Sequence, residues 1–583
     1  MSESKAQEYE QNGLDRRSFL QKSLAFGAGV LGGGVLGGTT VALAAGSPES
    51  EEKPEINATH PREMLEHYTG KNAEPIPPCD PPASWDAVAD VVIIGTGNAG
   101  LAASLYLAER GESVLAVEKS PMWGGVSSTA GAWVIKGGTK SHLAAGMEFN
   151  VEELMDIALR NLPYPPNGLH RKTTRKLIIK GAEAMDWFVD MGAPIKMVHP
   201  QSHVAIGPDG AVRACYGTNF AYEQALDKGA DIRLETECIG LVKDGERIVG
   251  IKVKNINTGV ESYFKGEKAV VVCSGGFAGN FDMLARWCPT AAKTAQTTAT
   301  FPGDDGAVIR MGIGAGAEMN GWDSFCSFDG GLPDTASWYH RIREGDVQLA
   351  RQPWLGIDIT GNRYPYVSYF EAGWAALEVQ AKVFQGLPQS CGYVFFDSDW
   401  EKNTISFKEG GCRKPETKEE TPRSMVTAID PEDWRIGIQR ALERGEIKQA
   451  DNFSDLAEQM GLDPQMVEKA VKDWNAMCET GEDPEYNFRP EWLIPLKKPP
   501  YFSMRIGSQV LATHCGLMVD QNFRVLDTKG KPMPGFYCAS MAAGGLVGNC
   551  SNGDGRVSPF GELFLSFVTG YIAAQSILGA IDE

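Results

Sequence analysis

Ala89-Asp90-Val91-Val92-Ile93-Ile94-Gly95-Thr96-Gly97-Asn98-Ala99-Gly100 sets the architecture of this chain. Residues 89–94 form a short β-branched run, the composition of a strand buried in a parallel sheet. A G-x-G-x-x-G follows at once. Residues 101–110 then read as an amphipathic helix, closed by Gly111, and residues 113–117 as a second strand ending at Glu118. Each part has a physical task. Gly95 permits the tight turn, Gly97 lets backbone approach a diphosphate, and Gly100 allows close helix–strand packing. The free N–H groups of the helix start, at Asn98 and Ala99, face the phosphates. Glu118 stands where an acid holds the ribose hydroxyls. Both strands, the helix and the acid together predict a dinucleotide-binding βαβ unit.

Lys119-Ser120-Pro121-Met122-Trp123-Gly124-Gly125-Val126-Ser127-Ser128-Thr129-Ala130-Gly131 continues past the acid into a Gly/Ser loop, where a nicotinamide dehydrogenase begins another βα unit. This loop resembles the flavin-contacting loop of the fumarate reductase/succinate dehydrogenase flavoprotein superfamily, which includes the 3-ketosteroid dehydrogenases. The resemblance continues in the family's order. Residues 231–237 and 247–254 look like strands returning to the sheet. Val270-Val271-Val272-Cys273-Ser274-Gly275-Gly276-Phe277 is similar to the family's strand ending in a small residue, Gly-Gly and an aromatic. Gly303-Asp304-Asp305-Gly306, before a helix at 307–313, resembles its G-x-G-D-G helix start. Pro534-Gly535-Phe536-Tyr537-Cys538-Ala539 is similar to its final strand, and Gly544-Gly545 with a helix at 560–580 completes the set.

The resemblance implies an α/β fold: a Rossmann-like FAD-binding domain with an inserted α+β capping domain. FAD is the implied cofactor. Its implied contacts are Gly95, Gly97, Asn98, Ala99, Gly100, Glu118, Lys119, Gly124, Gly125, Ser127, Ser128, Thr129, Ala130, Gly131, Ser274, Gly275, Gly276, Asp305, Ser540 and Ser558. One position departs. The family has Gly-Glu after the final strand, and this chain has Ser540-Met541, so that glutamate's flavin contact is not carried over.

The 583 residues predict more than one domain. A net charge of -20 opposes nucleic-acid binding, while leaving room for a local Arg pair that binds an anion. Twelve cysteines are scattered from Cys79 to Cys550 without a C-x-x-C, which argues against iron–sulfur clusters, zinc ribbons and attached haem, and no metal site is expected. They read as mostly free buried thiols, with one or two disulfides left open.

Asp15-Arg16-Arg17-Ser18-Phe19-Leu20-Gln21-Lys22, a Gly/Ala/Leu-rich stretch and Ala42-Leu43-Ala44 resemble a twin-arginine signal peptide over residues 1–45. That resemblance implies recognition by the twin-arginine (Tat) translocase and a periplasmic or other extracytoplasmic location. Residues 46–86, rich in Glu, Pro, Asn and Ser, read as a linker. The FAD domain is expected at 87–319 and 498–583, with the capping, substrate-closing domain at 320–497, where Trp and Tyr are dense.

Hydride delivery to a polarised double bond needs a group that stabilises enolate-like charge and an acid that protonates the neighbouring carbon. Thr513-His514-Cys515-Gly516-Leu517 resembles the family's His-x-x-Gly-Gly element, whose His binds a substrate oxygen. Arg556, in Gly553-Asp554-Gly555-Arg556-Val557-Ser558, lies near the family spacing for a carboxylate-binding Arg. Arg351 lies near another family Arg. The fumarate reductase acid falls on Glu371, which is not Arg, and this opposes fumarate itself as substrate. Ketosteroid dehydrogenases place a Tyr close by, which makes Tyr369 the candidate donor, with Glu371 and Tyr366 in reserve.

No haem, cluster or second dinucleotide motif is present in the sequence. An external electron donor, a membrane cytochrome or quinol-linked protein, is expected. Three readings stand open: a respiratory-type reductase of an activated C=C bond in a small unsaturated acid or enone, a dehydrogenase that desaturates a ketosteroid-like substrate, and a flavin electron-transfer subunit.

Overall fold

The computed structural model describes residues 70–130, 133–160, 168–199, 202–207, 215–300, 303–333, 349–367, 374–403, 433–546 and 561–580. All lie in one compact unit, Ala58–Glu583. The predicted signal peptide falls outside the described residues.

The first sheet is built on strand β1 (Ala87–Ile94), whose last four residues are all buried. It is flanked in parallel by β2 (Val114–Val117) and by the strand Glu261–Val272, with Ile94 in register with both Val117 and Val272. Asp231–Arg233 adds in parallel outside β2, and Pro532–Cys538 adds in parallel outside Glu261–Val272 with Cys538 opposite Val272. The antiparallel hairpin of Thr236–Asp244 and Arg247–Asn255 leans on the same sheet. The registers have a direct consequence for the site. Four strands end level with one another, so the segments that follow them (Gly95, Glu118, Cys273–Gly276 and Ala539–Ser540) share one edge of the sheet. In open parallel sheets that carboxyl-end edge is where ligands bind.

Helix α1 (Asn98–Glu109) covers β1, and the C-terminal helix Glu562–Ile577 packs on α1. Both are apolar nearly all round, the pattern of helices buried between layers. A Cβ on Gly570 would lie 2.0 Å from the Ala99 carbonyl oxygen, so this crossing requires glycine.

The second sheet joins Phe325–Gly331, Leu355–Ile357, Cys391–Phe396 and Lys448–Ala450 around the long strand Tyr501–Thr513, with Ala295–Thr298 running parallel to that strand. Along Cys391–Phe396 the side chains alternate between two cores. Val394 and Phe396 join Met504, Ile506 and Phe384, while Tyr393 and Phe395 join Leu355, Ile357, Trp474 and Trp492. Both faces are therefore covered, as the period of two requires of a strand apolar on each side. The central strand at 501–513 lies beyond the boundary expected at 497, and Ala295–Thr298 lies before the one expected at 320.

The segment read as a linker is described from Gly70 onward, and there it is docked. The Ile76 amide donates to the Arg310 carbonyl (3.0 Å), the Cys79 amide to Leu241 (2.7 Å), and Ala73 is fully buried. A polar composition hides this attachment because backbone hydrogen bonds, and not an apolar stripe, make it. The ten described cysteines are free thiols, and seven are buried. Among the described residues no group of His, Cys, Asp or Glu has metal-holding geometry, and no helix is long and apolar enough to cross a membrane.

Candidate active site

The shared sheet edge fits a dinucleotide diphosphate by a test on its glycines. A Cβ on Gly95 (φ +98°) would fall 2.6 Å from the Cys273 carbonyl oxygen, and one on Gly100 would fall 1.9 Å from the Gly95 carbonyl oxygen. Both positions are filled by protein. A Cβ on Gly97 would meet nothing closer than Ser127 Oγ at 3.8 Å. Gly97 therefore has no packing reason to be glycine. Space stands above it, at the N-cap of α1, where the first-turn N–H groups carry the positive end of the helix dipole. This is the geometry a diphosphate uses.

The neighbouring loop is tied to this turn. Thr96 donates to Glu118 Oε2 from both its amide (3.0 Å) and its hydroxyl (3.1 Å), and the Ser120 amide donates to Oε1 (2.9 Å). The Gly124 amide donates to the Thr96 carbonyl (2.9 Å), and the Asn98 amide donates to Ser127 Oγ (3.3 Å). Gly124 has φ +93°, and Gly125–Thr129 is a short 3-10 helix that contains Ser127 and Ser128 and is capped by Ala130. The Asn98 side chain is buried and accepts from the Thr218 hydroxyl (2.8 Å). Ala99 and Gly100 serve packing, against the last helix and against Gly95 respectively. Gly131 lies outside the described residues.

Lys119 Nζ pairs with Asp305 Oδ2 at 2.9 Å. Burial works against the Lys119 charge, and Asp305 outweighs it, so the ammonium is held above its ordinary range. Asp305 Oδ1 also accepts from the Ala307 amide (2.9 Å) at the start of the next helix. Its neighbour Asp304 faces the Gly275 turn, where a Cβ would come 3.0 Å from Asp304 Oδ1. Burial pushes the Asp304 carboxyl up to about 6, against a hydrogen bond from the Thr300 hydroxyl. Ser274 is half-buried beside Gly275 (φ +80°). Gly276 has no room for a side chain, since a Cβ would lie 2.2 Å from Thr513 Oγ1, the same oxygen that accepts from the Phe277 amide (2.9 Å). Ser540 occupies left-handed backbone (φ +66°), a conformation that suits the family's glycine there, and its amide donates to Thr569 Oγ1 (2.9 Å). Ser558 lies outside the described residues.

His514 follows Thr513 directly. Its amide donates to the Ser324 carbonyl (2.8 Å), and its carbonyl accepts from the Gly545 amide (3.0 Å). The imidazole is buried, with Nε2 2.7 Å from Glu562 Oε1 in the first turn of the last helix. Sequence reasoning missed Glu562. An acid at a helix start is legible, but its histidine partner lies 48 positions away and meets it only through the fold.

Arg351 is committed elsewhere. Its Nε donates to Asp329 Oδ1 (2.9 Å) and its Nη2 to the Asp329 carbonyl (2.8 Å), and both side chains are buried in the second sheet's layer. Asp329 sits opposite Ser508, five positions before Thr513 and so about 17 Å along the strand from it. Burial raises the Asp329 carboxyl, and Arg351 opposes that rise. The Tyr366 hydroxyl donates to the Arg351 carbonyl (3.1 Å). Tyr369, Glu371 and Arg556 lie outside the described residues. The same layer is pinned by Arg363, whose guanidinium grips Asp483 through two hydrogen bonds (2.9 and 2.8 Å) amid the rings of Trp474, Tyr486 and Phe488.

Comparison with known proteins agrees with this cradle. A family model described as FAD binding domain matches residues 90–556. The vinyl phenol reductase of Lactiplantibacillus plantarum is 26% identical over 475 residues, covering 79% of this chain and 91% of its own. The urocanate reductase of Eggerthella lenta is 25% identical over 497 residues, covering 80% and 73%. Among solved structures, the open conformation of a flavocytochrome c3 fumarate reductase superposes with a TM-score of 0.61 at 20% identity, covering 89% of this chain and 81% of that one. With its fingerprint turn, its level strand ends and a match over most of its length, the chain belongs to the FAD binding domain family and is an FAD-dependent oxidoreductase.

Proposed function

We propose that the chain is an exported flavoprotein reductase that delivers a hydride to one carbon of an activated C=C bond, in a small unsaturated acid or enone, and a proton to the other. FAD, when bound at the sheet edge, supplies the hydride. The observation that carries this reading is His514: its imidazole is fixed by Glu562 at the end of a strand whose Thr513 abuts the Gly275–Gly276 turn. Relatives named for reducing a vinyl phenol and urocanate support it.

In this reading His514 polarises a substrate carbonyl or phenol oxygen as negative charge develops there, an interaction that strengthens toward the transition state. Tyr369 protonates the neighbouring carbon, with Glu371 as the alternative. Tyr366 is disfavoured as donor because its hydroxyl already donates to the Arg351 carbonyl. Arg556 takes the carboxylate of an acid substrate. Arg351, bound to Asp329, acts in this reading as a positioning residue of the capping layer. Electrons arrive from an external donor, a membrane cytochrome or quinol-linked protein. Arg16 and Arg17 support export of the folded protein through the twin-arginine translocase. Replacing both with Lys is expected to hold the protein inside the cytoplasmic membrane, and normal export of that variant argues against the route.

The test is anaerobic photoreduction of the holoenzyme, followed by addition of unsaturated acids, enones and steroids. Reoxidation by an acid or enone is expected. Tyr369→Phe is expected to keep FAD and slow that reoxidation by about 10²–10⁴-fold. Reoxidation by no C=C compound sinks the reading, and an unslowed Tyr369→Phe removes the phenol from it.

A further inference from the structure

Tyr364 carries a hydroxyl that the interior does not satisfy. The side chain belongs to the core of the capping layer, with its ring edge-to-face on Phe384 (5.4 Å between centroids). Its oxygen is wholly buried and finds no hydrogen-bond partner among the described residues. The phenol is also fixed in place, because it lies against two glycines of the second sheet. A Cβ on Gly356 would fall 2.7 Å from the hydroxyl, and one on Gly392 would fall 2.3 Å from the ring. Burial, with smaller contributions from Cys391 and Asp329, raises the phenol well above its ordinary range, so the group is an O–H donor throughout the working pH range.

Tyr364 lines a cavity of about 20 Å³ together with Asp329, Arg351, Arg363 and Gln380. Arg351 Nε is bonded to Asp329 Oδ1 (2.9 Å), and Arg363 grips Asp483. Each guanidinium thus has its own carboxylate, and no net charge is left to draw an ion inside. The Gln380 amide is engaged at both ends, accepting from the Val367 amide (2.7 Å) and donating to the Pro365 carbonyl (3.2 Å). A cavity of this size admits about one water molecule, and cavities stay dry only when their walls are apolar. We propose that this cavity is a hydration site built into the capping layer, in which one resident water accepts from the Tyr364 hydroxyl and donates to the Asp329 carboxylate. The water satisfies the buried O–H and gives Asp329 a hydrogen bond beyond the one from Arg351. It thereby ties Tyr364 to an ion pair with which it shares no direct bond. The site does not depend on which C=C bond the enzyme reduces.

Crystallography of the FAD-loaded protein tests the site directly. One density peak within hydrogen-bond reach of both Tyr364 Oη and the Asp329 carboxylate is expected, and a well-ordered cavity without it overturns the proposal. A bromide soak distinguishes the occupants: an anomalous peak in the cavity makes the site one for anions and overturns the assignment to water. Chemical denaturation of the holoprotein gives the second readout. Tyr364→Phe is expected to lower the folding equilibrium constant about tenfold, through loss of a hydroxyl that water satisfies. A hydroxyl without a partner predicts the opposite sign, because phenylalanine then removes an unpaired buried polar group. A Tyr364→Phe protein at least as stable as wild type therefore overturns the proposal. In the Asp329→Asn background the effect of Tyr364→Phe is expected to shrink by about threefold, the coupling that a shared water confers. Equal effects in the two backgrounds overturn the bridge to Asp329. Where Asp329→Asn does not fold, the density peak and the sign of the Tyr364→Phe effect decide.

Discussion

Replacing Gly97 and Gly100 separately with alanine separates binding from folding, because the two glycines of one fingerprint face different neighbours. At Gly100 the new methyl would sit 1.9 Å from the Gly95 carbonyl oxygen, well inside contact distance, and α1 must move off β1 by more than 1 Å to admit it. Overpacking of this kind costs about 3 kcal/mol or more when the obstacle is backbone, which has no rotamer to yield. At Gly97 the nearest atom is 3.8 Å away and the backbone is ordinary (φ -64°), so the apoprotein tolerates the methyl. The lower N-cap preference of alanine and the reduced entropy of its unfolded chain nearly cancel, leaving a change within about 0.5 kcal/mol. The methyl instead occupies the space over the helix start. Displacing a diphosphate from one or two charge-assisted N–H contacts removes about 2–3 kcal/mol, a 30- to 150-fold weaker FAD affinity by order of magnitude. Thermal unfolding of both apoproteins and fluorescence titration with FAD provide the two readouts. If Gly97→Ala lowers apoprotein stability as much as Gly100→Ala does, or leaves the FAD dissociation constant unchanged, the assignment of the open face to the cofactor is wrong.

Two predictions concern carboxylates. Asp483 is buried, and despite the upward push of that burial, the Arg363 hydrogen bonds and nearby amides hold its carboxyl down to about 2. Its stabilising contribution is therefore complete above about pH 4 and is lost as pH falls toward 2. Asp483→Asn should remove about 2 kcal/mol at pH 7 and flatten this acid limb of the stability profile, and an unchanged limb in chemical denaturation refutes it. Asp304 has the opposite sign. Its raised carboxyl, about 6, is penalised as it ionises, so the fold loses stability as pH rises from about 4 to 6. Asp304→Asn should gain up to about 3 kcal/mol relative to wild type at pH 7.5 and little at pH 4. An equal difference at both values argues that Asp304 is not the titrating group.

The cofactor cradle was legible because its chemistry is local. Strand, turn, helix and terminal acid lie within thirty residues, and each glycine's task follows from its place in the motif. Ser540 shows how far that legibility extends: the departure from glycine was visible, and the left-handed backbone that makes it a strained substitution was not. Pairings across the fold were not legible. Arg351 stands near the place of a family Arg, and nothing in the sequence announces its ion pair with Asp329, 22 positions earlier, just as nothing around His514 announces Glu562. The docking of residues 70–86 was hidden for a related reason, since its contacts are main-chain bonds to Arg310 and Leu241 that no side-chain pattern announces.

The strand Tyr501–Thr513 has a practical consequence for anyone exchanging parts between relatives. It is the spine of the second sheet, bonded to Cys391–Phe396, Phe325–Gly331 and Lys448–Ala450, yet its final residue touches the Gly276 turn. A hybrid protein spliced at 497 would graft a lobe without its own backbone and force foreign edges onto the recipient's strand. A junction after Thr513 transplants the lobe whole, and leaves His514 with the half of the molecule that supplies Glu562.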